Sequence, residues 1–157
     1  MRLRNLSTAL VLALPALPVH ASDITGSQLG IVFCTARLKG DMTPLKGLMT
    51  DDLAKKVADA EAKNAAFVKA HPSEKAPLAD GIPWQSNPAP ADNCLMVGMS
   101  GTYDVPVDIL SYTYADSGKN FSDRLELNFV NGELRLDNVD YAGGGDLKSR
   151  LAAAFPK

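Results

Sequence analysis

The stretch Phe121–Tyr141 constrains the fold more than any other. It reads FSDRLELNFV, then Asn131-Gly132, then ELRLDNVDY. Asn-Gly between two alternating apolar runs specifies a two-residue type I′ turn, because both turn positions need positive φ. With that turn as the loop, Val130 faces Glu133, Phe129 faces Leu134 and Leu127 faces Leu136. These apolar pairs, with Leu125, mark the core side. An uninterrupted ladder would also set Glu126 against Asp137 and Asp123 against Asp140, and like charges directly opposite are destabilising. The apolar phase slips as well, since Val139 and Tyr141 have the opposite parity to Leu134 and Leu136. One extra residue at Asp137-Asn138 resolves both conflicts. Val139 then meets Leu125, Asp140 meets Arg124 and Tyr141 meets Asp123. The expectation is a β-bulge there, which bends the strand and re-aims side chains.

The beginning of the chain reads differently. Met1–Arg4 is basic, Leu6–Val19 is a short apolar run broken by Pro15 and Pro18, and Val19-His20-Ala21 is a small-x-small cleavage site. That pattern is a secretory signal peptide over residues 1–21, leaving a single domain over residues 22–157, in the periplasm or secreted. The run is too short for a comfortable membrane span, and no later stretch qualifies. Losing Arg2 and Arg4 takes the formal net charge from −2 to −4. An acidic, mixed surface argues against nucleic acid or anionic membrane as partner. In an oxidising compartment the two cysteines, Cys34 and Cys94, are most simply one disulfide. A reactive thiol or a metal pair is the alternative, without a C-x-x-C or a nearby histidine to support it.

Between these ends the pattern is helical first and extended later. Ser22-Asp23 suits a helix cap, and Ile24, Leu29, Val32, Phe33 and Ala36 recur at helical spacing before Gly40. Thr43-Pro44 opens a short turn or helix. Thr50-Asp51-Asp52 caps a long helix to about Ala70, with Leu53, Val57, Ala60, Asn64, Phe67 and Val68 inward, stopped by His71-Pro72. Residues 73–93 form a long proline-rich connection whose centre, Ile82-Pro83-Trp84, is apolar enough to strap it to the body. Strand candidates follow at Cys94–Tyr103 and Val105–Ala115, a turn at Asp116–Asn120, then the hairpin. Gly143–Gly145 precedes a last helix from Asp146 to Phe155. The fold class is α+β: two N-terminal helices packed on a curved antiparallel sheet of about four strands, with a C-terminal helix.

Three stretches carry a resemblance. They are Phe33-Cys34-x-Ala36-Arg37, Asp80-Gly81-Ile82-Pro83-Trp84-Gln85-Ser86, and Asp123-x-Leu125-x-Leu127 with Leu134-Arg135-Leu136-Asp137-Asn138-Val139-x-Tyr141. From Leu29 to Leu151 the chain resembles small exported bacterial domains related to the nuclear-transport-factor-2-like, or cystatin-like, α+β roll. Phe121 and Leu134 stand where such domains tend to have Trp, and Asn138 where a second Asp is common. The resemblance implies a fold with a pocket between helices and a concave sheet. Its superfamily includes isomerases, dehydratases, binding modules and interaction domains, so it selects no function.

Chemistry-bearing residues are few. After the signal peptide His71 is the single histidine, at a helix C-terminus where a cation is favoured. No G-x-S-x-G occurs. Gly143–Gly145 lacks the Lys-Ser/Thr of a phosphate loop, and Asp146 fits a helix cap better. The catalytic candidates are Asp123, Asp137 and Tyr141, with Arg37 beside them. A carboxylate buried on the concave face would serve as base and Tyr141 as oxyanion donor. Against this stands a salt bridge from Arg37 or Arg124 and a capped tyrosine. Ligand-lining candidates are Arg37, Trp84, Tyr112 and Tyr114. No cofactor and no metal is expected. The leading expectation is a periplasmic, non-enzymatic domain that binds a protein partner or a small ligand. The alternatives are an inhibitor or immunity protein against a toxin or cell-wall enzyme, an isomerase or dehydratase-like enzyme using a pocket Asp, and a structural envelope factor.

Overall fold

A computed structural model describes residues 24–87, 91–97, 107–112 and 120–156. The chain is α+β. Its helices are α1 (Gly26–Lys39), α2 (Thr43–Lys46) and α3 (Asp51–Ala70), followed by strands β1 (Asn93–Val97), β2 (Val107–Tyr112), β3 (Asn120–Val130) and β4 (Glu133–Asp140), and then α4 (Leu147–Ala154). The strands pair antiparallel in the order β1-β2-β3-β4. No described helix is long and apolar enough to cross a membrane.

The hairpin forms as its chemistry requires. Asn131 and Gly132 take φ of 51° and 89°. Val130 pairs with Glu133, Phe129 with Leu134 and Leu127 with Leu136. The register then shifts between Glu126 and Leu127, so that Glu126 meets Asn138, Leu125 meets Val139 and Arg124 meets Asp140. Asp137 is the extra residue. The bulge therefore keeps Glu126 from facing Asp137 and gives Asp140 a cation opposite. The outer edge of β4 is covered too: Thr50 donates its backbone N–H to the Leu136 carbonyl at 2.9 Å, and Leu136 donates to Leu48 at 2.8 Å.

Helix caps follow from side chains that can accept a backbone N–H. Thr25 and Gln28 form a reciprocal capping box, so α1 begins after Thr25 rather than at Ser22-Asp23. The Thr50 hydroxyl accepts from Leu53 and opens α3. Asp146 accepts from Ser149 at 2.8 Å and opens α4, beyond Gly144 and Gly145 at positive φ. The core lies where Leu29 and Phe33, Leu45, Leu53 and Val57, Leu125, Leu136 and Val139, and Leu147 and Leu151 meet. Cys34 and Cys94 are bonded, with Cα atoms 5.1 Å apart, tying α1 to β1.

Two expectations about burial are corrected. Val68 is 49% exposed, and only the first half of α3 packs inward, through Leu53, Val57 and Ala60. Asn64 instead hydrogen-bonds the backbone of Leu78 in both directions, at 3.1 and 3.0 Å, and Phe67 stacks on His71. Phe129 is 50% exposed although its partner Leu134 is buried. Among the described residues β2 runs beside β3 no further than Leu125, so β2 does not pair with the tip of the hairpin. Residues 1–21, Ser22-Asp23, Tyr103, Tyr114 and the Asp116–Lys119 turn lie outside the described residues.

Candidate functional site

The connection between α3 and β1 is the element that builds the site. It carries few periodic apolar residues, so it cannot form a helix or strand that holds itself in place. Side chains from elsewhere fix it. Asn64 holds Leu78 as above. Tyr141 donates its hydroxyl to the Pro83 carbonyl. Arg37 donates its Nε–H to Gln85 Oε1 at 3.1 Å, and the Gln85 amide donates to the Asn87 carbonyl at 2.8 Å. Ser86 donates its backbone N–H to Asp123 Oδ2 at 2.7 Å. The disulfide at Cys94 closes the far end.

Fixed in this way, the connection forms one wall of a groove of about 400 Å³. Arg37 of α1 forms another part, and Arg150, Ala153 and Ala154 of α4 the third. Trp84 is almost fully buried and lines it, with Ile82 and Pro83 beside it. The groove lies between α1, the connection and α4. This differs from the expected pocket between helices and sheet, since no described strand residue lines it.

Asp123 is 2% exposed and sits behind the groove. Its second oxygen accepts the Ala142 backbone N–H at 3.0 Å. One carboxylate thereby joins the connection to the turn after β4, across two segments that share no ladder. Burial lowers the Arg37 guanidinium from its ordinary value, and the Asp123 charge works against that shift. Burial pushes the Tyr141 phenol well above the usual range, with the Arg150 charge opposing it. The Arg150 guanidinium lies over the Tyr141 ring, 5.3 Å from its centre. A neutral phenol donating to a carbonyl is a strut for the connection. The Ser86 hydroxyl is buried without a hydrogen-bond partner among the described residues, and nothing in the structure explains it.

Asp137 belongs to a different place, which corrects the grouping of Asp123, Asp137, Tyr141 and Arg37 into one site. As the bulged residue it accepts from the Thr50 hydroxyl at 2.7 Å and from Lys148 Nζ at 2.9 Å. Lys148 also reaches Asp52 at 2.8 Å, and Lys56 pairs with Asp52. The cluster pins the start of α3 and the first turn of α4 to the bulge. Its two lysines hold the Asp52 carboxyl at about 2, below its ordinary 3.8. A carboxyl with a lowered folded value stabilises above its unfolded pKa and loses that contribution as pH falls through the folded one. The loss therefore falls between about pH 4 and 2. It is small, because the Asp52 side chain is 53% exposed and screened. Asp52→Asn is expected to flatten this part of the acid limb in urea melts at low salt. Superimposable acid limbs for the two proteins would sink the assignment.

Of the ligand-lining candidates, Arg37 and Trp84 come together in the groove. Tyr112 lies in β2 opposite Asn93 and Asn120, and its side chain is outside what the structure describes, as is Tyr114. Sequence reasoning missed Arg150, Lys75 and Asn87 as groove residues. Arg150 had a usable signal: it stands three residues after Leu147, at the margin of the buried stripe, as Arg37 stands one turn after Phe33. No group of three or more metal-ligating side chains occurs among the described residues. Comparison of the chain with protein-family models, with curated proteins and with solved structures finds no match.

Proposed function

We propose that the chain is an exported binding domain that holds a small ligand or a partner's segment in the groove between α1, the connection and α4. The observation that carries this reading is the way the connection is held. Four side chains, Arg37 of α1, Asn64 of α3, Asp123 of β3 and Tyr141 just after β4, each fix a different point of it. Such over-determination of a loop with no regular structure is what a preformed binding surface needs, because binding then costs little ordering. Both carboxylates offered as bases are already engaged, Asp123 by two backbone amides and Asp137 by Thr50 and Lys148, which favours binding over proton abstraction.

Export rests on the basic and apolar start of the sequence, and the buried disulfide fits an oxidising compartment. The order of three helices, an antiparallel meander and a closing helix supports a kinship with the nuclear-transport-factor-2-like roll, with a curved sheet. A library of small aromatic and aliphatic fragments, followed by backbone amide shifts and by the emission of Trp84, tests the binding role. Shifts are expected at residues 78–87 and 150–154, and Ala153→Trp, which fills the groove from an exposed helix position, is expected to abolish them. Hits that cluster elsewhere, or that survive the plug, would end this reading.

A further inference from the structure

The groove holds positive charge that its surroundings do not answer. Lys75 and Asp80 lie 3.8 Å apart on exposed side chains and offset each other. Arg37 and Arg150 remain. Arg37 uses Nε on Gln85, and its two terminal nitrogens have no hydrogen-bond or ion-pair partner among the described residues. Asp123 faces it through space, but both oxygens of that carboxylate are occupied by the Ser86 and Ala142 amides. Arg150 rests on the Tyr141 ring and makes no ion pair among the described residues. Arg150 is the fourth of the eight residues of α4, outside the last turn where a cation would gain from the helix C-terminus, and it stands on the groove wall.

A guanidinium presents paired N–H groups in a plane, the arrangement that matches the two oxygens of a carboxylate. Two guanidiniums, with the Asp123 charge behind one of them, leave a surplus near a single positive charge, which suits a monoanion better than a phosphate dianion. Beside them lie Ile82, Pro83 and Trp84, an apolar wall, and Ala153 and Ala154, whose small side chains leave room. We propose that the groove binds an organic carboxylate carrying an apolar or aromatic body, its carboxylate between Arg37 and Arg150 and its body against Ile82, Pro83 and Trp84. This rests on the binding role proposed above and names the chemistry of its ligand.

The carboxylate has two sources, a free small acid or the C-terminus of a peptide, and the probes separate them. The first pair is 4-phenylbutyrate and the neutral 4-phenylbutanol. The second is acetyl-glycyl-phenylalanine with a free C-terminus and its amide. Binding is read at low salt from Trp84 emission and from amide shifts at residues 78–87 and 150–154. At least one acid is expected to bind ten-fold or more tighter than its neutral partner. Arg150→Gln, at an exposed position, is expected to erase that preference, so that acid and neutral partner bind the variant equally. Arg37→Gln is expected to do the same, and its amide spectrum reports whether α1 remains in place. If acids and neutral partners bind the groove equally, or if Arg150→Gln leaves the preference intact, the carboxylate assignment is overturned while the binding role stands. If no acid shifts any groove amide, the assignment is overturned too, and the fragment screen then decides the binding role separately.

Discussion

Replacing both Cys34 and Cys94 by alanine is expected to lower the free energy of unfolding by about 4 kcal/mol. The bond closes a loop with a sequence separation of 60, and a cross-link of that span removes much of the freedom of the unfolded chain. Both residues are buried, at 6% and 5% exposure, so the bond belongs to the core as well as to the chain's connectivity. It also fastens the groove. Without it the connection keeps its hydrogen bonds to Arg37, Asn64, Asp123 and Tyr141 but loses the covalent anchor where it enters β1. Urea melts of the double variant should therefore shift strongly, and Trp84 emission should move to the red in the folded baseline. A loss below about 1 kcal/mol would show that packing alone holds α1 to β1.

Asp123→Ala is expected to cost about 3–5 kcal/mol, the range for removing a buried charge that other groups depend on. Two backbone N–H groups, of Ser86 and Ala142, would lose their acceptor, and the partly buried Arg37 would lose the negative charge facing it. Asp123→Asn keeps one acceptor oxygen and turns the other position into a donor facing an N–H, so a cost of about half is expected. The contrast bears on function. A carboxylate whose work is anchoring shows this graded loss of stability, together with displaced amide shifts at residues 83–87 and 142–145. Melts of both variants within about 1 kcal/mol of the unchanged protein would remove Asp123 as the anchor and reopen a chemical role for it.

The hairpin shows why part of this architecture is readable in the chain. Its turn depends on two adjacent residues tolerating positive φ, and its bulge on like charges and apolar parity one strand apart. Both are short-range conditions, so Asn131-Gly132 and the Asp137 insertion can be placed before any tertiary contact is known. The caps at Thr50 and Asp146 are legible for the same reason, since the acceptor and the N–H it satisfies lie three residues apart. The cysteine pair is legible from number and context.

The burial of Phe129 and Val68 was not readable, because apolar periodicity marks a face and says nothing about whether another element reaches it. The site was less readable still. Asp123 and Asp137 have the same chemistry and lie on neighbouring strands, yet one meets the connection and the other meets α3 and α4. Arg150 and Arg37, more than a hundred residues apart, line one groove only because the connection folds back between their helices. By itself the sequence determined the turn, the bulge, the caps at Thr50 and Asp146 and the helix-then-strand order, since each follows from conformational or electrostatic conditions between residues near in the chain or opposite in one ladder. Only the tertiary structure decided which carboxylate anchors the groove and which cations face it. Those choices depend on where a segment without regular structure is held, and its holding points come from helices and strands far away in sequence.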